Sequence, residues 1–243
     1  MISGKKKSNA PLSDKRFDVL LIVLILIFAF ALRMYGLMDV GLTYDEPITV
    51  ASGIYYIHNL EAQNFSPDVW AQNMEHPPVA KYIYGIANLL FNGGGFSYNT
   101  YAVAKSASAL MGALTCVLTF MIGRELYDRR VGLAAAFILS LTPVFLAHTQ
   151  IAAIDAPIVF FFTLTLFLFI AALRRNRLPY YAASAVSLGL LVSTKFNGIL
   201  ILPVMAILYL LFRHRHPLAV KNAKVKGAAR QAADKGIVET ING

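Results

Sequence analysis

Ionisable side chains are few in this 243-residue chain, and those able to do chemistry stand in short clusters: Asp45-Glu46-Pro47, Glu75-His76-Pro77-Pro78 with Lys81, Asp155-Ala156-Pro157, and Lys195. An acidic pair beside an anion-binding patch suits group transfer from a phosphate-linked donor. In such a reaction a carboxylate takes the acceptor's proton while cations, or a divalent metal, hold the leaving phosphate. Pro77-Pro78 predicts a helix start whose first backbone amides would add to that anion site. Plainer roles fit the same residues. Asp45 and Asp155 each precede a proline by two positions, the pattern of a cap at a helix start with no catalysis. Glu46 suits the positive end of the same helix, His76 an exposed loop, and Lys195 a reach towards lipid headgroups.

The elements that must position these groups follow from composition. Hydrophobic residues make up 57% and charged residues 14%, with a mean hydropathy of +0.59. A soluble domain carries about 25% charged residues, so a soluble enzyme, a disordered tail and a disulfide scaffold are excluded. The single cysteine, Cys116, has no partner within the chain. A membrane helix needs about 20 mostly apolar residues. Segments near that length run from Phe17 to Met38, Tyr101 to Ile122, Val131 to Ala147, Ile154 to Leu173, and Leu178 to Phe212. The last is broken by Thr194-Lys195-Phe196-Asn197 and suits two helices folded back. The expected architecture is all-α: a polytopic membrane helix bundle of about six crossings.

The net charge of +9 and pI near 9.7 raise the question of nucleic acid. The basic residues instead sit in short clusters between apolar runs, with no interleaved aromatic platform, so no nucleic-acid partner is expected. Lys and Arg collect on cytoplasmic loops. With the N-terminus inside, all of the 22 Lys and Arg except Arg33, Lys81, Lys105 and Lys195 fall on the inner side. The organisation is then a cytoplasmic segment 1–16, a membrane module 17–212 with an outer loop 39–78, and a basic cytoplasmic tail 213–243.

Val79 to Phe91 is short for a crossing, and Lys81, Gly85, Asn88 and Asn92 form one helical stripe along it. It is expected as a juxtamembrane helix lying at, or dipping into, the outer surface. The stripe Lys105, Ser108, Gly112, Thr115 and Thr119 is expected to pack against neighbouring helices. Ala29-Phe30-Ala31 resembles a signal-peptide cleavage site, but the apolar stretch runs on through Leu37, longer than such signals. Asn64-Phe65-Ser66 is a formal glycosylation sequon weakened by Pro67, and Gly93-Gly94-Gly95 reads as a connector.

Taken in order, Leu32-Arg33-x-x-Gly36-Leu37, Tyr44-Asp45-Glu46, Glu75-His76-Pro77-Pro78-Val79-Ala80-Lys81, Gly123-Arg124-x-Leu126-Tyr127-x-Arg129-Arg130-Val131-Gly132-Leu133, Asp155-Ala156-Pro157 and Ser193-Thr194-Lys195-Phe196-Asn197-Gly198 form a longer pattern. It resembles the N-terminal half of the GT-C membrane glycosyltransferases, above all the dolichyl-phosphate-mannose protein mannosyltransferases and the lipid A aminoarabinose transferases. The resemblance implies an inverting, hexosyl- or pentosyl-transferring enzyme of the cell membrane. Its donor would be a sugar on a polyprenyl phosphate, its acceptor a protein or lipid, and its site would face outside. It assigns Asp45 as catalytic base with Glu46 as its acidic neighbour. His76, Lys81 and Lys195 would bind the donor phosphate, and Glu75 and Asp155 a divalent metal, the one cofactor expected. A lysine stands at the position of His76 in the aminoarabinose branch, which sets the metal role apart.

Such enzymes usually continue for several more membrane helices, so three origins are open: a truncated product, one part of a split enzyme, or a minimal transferase. Besides a transferase, the sequence fits a non-catalytic membrane subunit that assembles with a second polytopic chain. A small transporter fits less well, because the chain shows no internal repeat and its charges gather at one rim.

Overall fold

The computed structural model describes residues 12–215, and every regular element among them is a helix. In chain order these are α1 (Leu12–Met34), α2 (Asp45–Glu61), α3 (Pro67–Trp70), α4 (Val79–Asn92), α5 (Thr100–Leu126), α6 (Arg129–Leu141), α7 (Pro143–His148), α8 (Asp155–Arg175), α9 (Leu178–Val192), a 3-10 turn (Phe196–Leu200) and α10 (Ile201–Arg215). In hydrocarbon an isolated segment can satisfy its backbone only as a helix. Among the described residues, four stretches are long and apolar enough to cross a membrane: Arg16–Met34, Thr100–Leu126, Asp155–Arg175 and Phe196–Arg213. The protein is a polytopic all-α membrane bundle.

Two expected crossings take a different form. The run Val131 to Ala147 is interrupted at Thr142, because Pro143 lacks the amide needed to continue the ladder, and it becomes α6 and the six-residue α7. The run from Leu178 breaks after Val192, where the sequence places the fold-back, leaving α9 with 15 residues.

The chain divides into a unit ending at Ile199 and a second beginning at Leu200, whose described helix is α10. In the first unit α5 is the axis, packed against α1, α4, α6 and α8. Its small and polar stripe is the reason: Lys105, Ser108, Gly112 and Thr115 are buried, as the sequence leads one to expect. A Cβ on Gly112 would collide with Arg33 and Thr149. Further along, α5 and α6 meet so closely that a side chain on Gly123 would strike the Gly132 backbone and one on Gly132 the backbone of Phe120 and Arg124. Ala29 packs with Ala113 and Cys116, fixing α1 to the axis.

The two ends of α5 differ in charge. At its C-terminal end, Arg124 and Arg129 each hold Asp18 at 2.8 Å, and Arg174 and Arg175 approach Glu125. At its N-terminal end, Lys105 and Ser108 hold the loops that carry the candidate site.

The helix α4 has its stripe turned inwards. Lys81, Gly85 and Asn88 are buried against the protein, while Ile86, Leu90 and Phe91 are exposed. Gly53 of α2 and Gly85 of α4 let the two backbones touch. The stripe is therefore polar for packing, and the apolar side is the one left for lipid.

Residues 1–11 and 216–243 lie outside the described residues, and with them most of the expected cytoplasmic N-terminal segment and basic tail. The helix α1 begins inside that N-terminal segment, and α10 extends into the tail through Arg215.

Candidate active site

Asp45 and Asp155 are the first residues of α2 and α8, and neither carboxylate caps its helix. At α2 the capping is done by the neighbours instead. Glu46 Oε2 accepts the Thr43 backbone N–H at 2.8 Å and the Thr43 hydroxyl at 3.3 Å, the return half of a capping box. That frees Asp45, which is exposed and makes no hydrogen bond or ion pair with another described residue.

Glu46, expected beside Asp45 as its acidic partner in the chemistry, points the other way. It is fully buried, its Oε1 accepts the Ala152 N–H at 2.8 Å, and Lys105 Nζ lies 3.7 Å from the same oxygen. Lys105 in turn donates to the carbonyls of Val40 and Gly41 at 2.6 and 3.1 Å. A buried charge must be paired and hydrogen-bonded. Here that pairing ties the strand of chain before α2, α2 itself and the 149–154 loop to α5. The same loop is pinned by the Ser108 hydroxyl to the Ile151 carbonyl and by the Tyr84 hydroxyl to the Ala153 carbonyl. Arg33 Nε donates to Thr149 Oγ1 at 2.8 Å, and Gln150 returns a bond to the Arg33 carbonyl at 2.9 Å.

The loop from Ala62 to Pro78 hangs on α2. Tyr56 donates its hydroxyl to the carbonyls of Trp70 and Gln72, Asn59 donates to the Val69 carbonyl at 3.0 Å, and the Tyr56 and Trp70 rings stack at 5.3 Å. Lys81, expected to bind phosphate, is buried and spends its ammonium on the loop. It donates to the carbonyls of Gln72, Asn73 and His76 and lies 5.6 Å from the centre of the Tyr56 ring. Burial holds this ammonium below its ordinary pKa. Its position makes it a scaffold for His76, with no donor left pointing at a ligand.

Two hollows result. A cleft of about 660 Å³ is lined by Asp45, Pro47, Ser52, Glu75, His76 and Ile154 among others, so the acidic start of α2 and the Glu75-His76 pair face one space. A second hollow of about 410 Å³ is lined by Tyr56, Trp70, Tyr82, Pro77, Val192 and Phe196, and shares Asn73, Met74 and His76 with the first. His76 thus stands in the wall between a polar cleft and an aromatic one.

The turn carrying Lys195 is drawn to this wall because the Val79 N–H donates to the Ser193 carbonyl at 3.1 Å. One of the amides expected to face an anion is thereby used in packing. Lys195 is partly buried and its ammonium has no hydrogen bond or ion pair among the described residues, unlike Lys81. Asp155 is held by His148, whose Nδ1 lies 2.9 Å from Oδ2; His148 carried no signal in the sequence reading. Glu75 approaches His76 at 3.9 Å. Among the described residues no three His, Cys, Asp or Glu side chains gather into a set that could hold a metal ion, so Glu75 and Asp155 do not form such a site by themselves.

Comparison with known proteins follows from this geometry. Residues 75–230 match the family model described as dolichyl-phosphate-mannose-protein mannosyltransferase. Among curated relatives, the putative mannosyltransferase YkcB of Bacillus subtilis is 25% identical over 199 residues, covering 81% of this chain and 27% of the relative. Dolichyl-phosphate-mannose–protein mannosyltransferase 1 of Saccharomyces cerevisiae is 26% identical over 200 residues, covering 75% of this chain and 23% of the relative. The chain spans about a quarter of the length of these relatives. In fold it is similar to a chain of the S. cerevisiae protein O-mannosyltransferase Pmt1–Pmt2 complex bound to the sugar donor. That match has a TM-score of 0.60 and 24% identity, over 80% of this chain and 28% of that one.

Proposed function

The chain belongs to the dolichyl-phosphate-mannose-protein mannosyltransferase family, and from that premise we propose that it transfers a sugar from a polyprenyl-phosphate donor to a protein or lipid acceptor. Asp45 is the base. It takes the proton of the acceptor hydroxyl as that oxygen attacks the anomeric carbon; the bond from that carbon to the phosphate oxygen breaks, and the phosphate departs with the electron pair. His76, in the wall between the two hollows, and Lys195, on the turn whose Ser193 and Phe196 line the second, hold the leaving phosphate, and Glu46 serves Asp45 by fixing the start of α2. The lipid tail need not leave the membrane for its headgroup to arrive there.

The observation that carries this reading is the single cleft onto which Asp45, Glu75 and His76 open, from parts of the chain far apart in sequence. An unpartnered carboxylate sharing a cleft with a histidine, with the unpaired Lys195 carried on the turn whose Ser193 and Phe196 line the second hollow, suits acceptor deprotonation and phosphate departure. The basic clusters at the other end of α5 support an orientation with this cleft on the non-cytoplasmic face of the membrane. The fold neighbour is a two-chain complex, and we extend to this protein a second polytopic partner.

The test is direct. The purified chain in liposomes is given polyprenyl-phosphate mannose labelled in the sugar, with a membrane extract as acceptor source. The reading expects label to leave the lipid; label that stays on the lipid with and without a co-purified partner contradicts it.

A further inference from the structure

The pair His148 and Asp155 takes no part in the transfer scheme. The residues close the two ends of the 149–154 loop, His148 as the last residue of α7 and Asp155 as the first of α8. Between them the chain is buried and anchored, with Thr149, Gln150, Ala152, Ala153 and Ile154 all largely inaccessible. Arg33, Ser108, Glu46 and Tyr84 hold its polar groups from α1, α5, α2 and α4 in turn. The backbone on which Asp155 stands is therefore fixed from every side. Its carboxylate is not: the His148 and Asp155 side chains are 54% and 41% exposed, and no other described residue bonds Asp155.

Ile154, the residue before Asp155, lines the cleft that Asp45 faces. Asp155 therefore follows directly on a residue of the cleft wall, and its carboxylate has one side-chain contact, His148. Since a carboxylate only accepts, His148 Nδ1 carries the proton in this 2.9 Å bond. We propose that His148 is a positioning residue for sugar transfer, holding the Asp155 carboxylate at the cleft margin, where its negative charge favours the positive charge that develops on the departing sugar ring. This rests on the transferase reading above. It gives Asp155 an electrostatic task without a metal and assigns His148, which no motif marked, to the reaction.

The test is a mutant cycle in the labelled-donor assay. His148→Ala is expected to lower kcat about tenfold while the donor KM moves less than about twofold. His148→Asn, whose side-chain amide can occupy the position of Nδ1, is expected to restore kcat to within about threefold of the parent. Asp155→Asn is expected to match His148→Ala, and the double variant His148→Ala/Asp155→Asn to be no slower than Asp155→Asn alone. Unchanged kcat in His148→Ala, no rescue by His148→Asn, or losses that multiply in the double variant overturn the proposal. Should His148→Ala fail to fold, the kcat of His148→Asn set against that of Asp155→Asn decides in the same way. An unmodified chain that moves no label overturns the transferase reading itself; activity indifferent to His148 overturns this inference alone.

Discussion

Lys105 of α5 lies 3.7 Å from the Glu46 carboxylate of α2, and both side chains are almost completely buried. The pair fixes the start of α2 against the bundle axis and so sets where Asp45, the residue before Glu46, opens onto its cleft. Removing one member of a buried pair leaves an uncompensated charge, which costs about 3–5 kcal/mol. Lys105→Met is therefore expected to lower the unfolding midpoint in detergent markedly, and Lys105→Met/Glu46→Gln to recover part of the loss. Equal midpoints for Lys105→Met and the parent contradict this role.

Lys81 and Lys195 should separate in their effects. Lys81 gives its ammonium to three loop carbonyls, whereas that of Lys195 has no internal partner among the described residues. Lys81→Met is expected to destabilise the loop, seen as faster proteolysis between Gln72 and Glu75. Lys195→Met should leave proteolysis and unfolding unchanged yet raise the donor KM about tenfold, the effect of losing a charge-assisted contact. The reverse pattern contradicts the assignment.

Close backbone approach predicts which glycines cannot change. A side chain at Gly85 would meet the Gly53 carbonyl and Ile57, while one at Gly189 meets nothing within 4 Å. Gly85→Val is expected to part α2 from α4, lowering the unfolding midpoint and abolishing transfer. Gly189→Ala, in the body of α9, should be neutral or slightly stabilising, by up to about 1 kcal/mol. Comparable midpoints for the two variants count against the packing described.

Orientation can be read by labelling single cysteines, since the native Cys116 is buried. Tyr98, 94% exposed beyond α4, and Arg177, in the turn after α8, stand near opposite ends of the bundle. Tyr98→Cys is expected to react with a membrane-impermeant maleimide on intact cells, and Arg177→Cys only after permeabilisation. The opposite result places the cleft on the cytoplasmic side and ends the proposed route to an external acceptor.

Much of this architecture is legible in the sequence because lipid leaves the backbone few choices. The apolar runs from Phe17, Tyr101 and Ile154 each become a long helix, and the stripe from Lys105 to Thr115 lies buried where small and polar residues allow close packing. The break at Thr142 escaped because its run is as apolar as its neighbours and only Pro143 marks it. In the site, Asp45 and the Glu75-His76 pair do share a cleft. Charge type alone could not tell which lysine is spent on carbonyls and which is free, or that Glu46 turns inwards while its neighbour turns out. Those outcomes depend on how the folded chain returns on itself, the 72–76 loop over Lys81 and Ala152 against Glu46, and sequence spacing does not encode them. His148 carries no motif, and only the fold of the 149–154 loop brings it back to Asp155.

The central claim is that the exposed carboxylate of Asp45 takes the acceptor's proton, and Asp45→Asn tests it with the smallest possible change. The substituted chain should insert and unfold as the parent does, because Asp45 bonds to no other described residue. Its rate of sugar loss from labelled polyprenyl-phosphate mannose, measured under single-turnover conditions, should fall by about 10²–10⁴-fold. Turnover within a few-fold of the parent would place the base elsewhere and contradict the account.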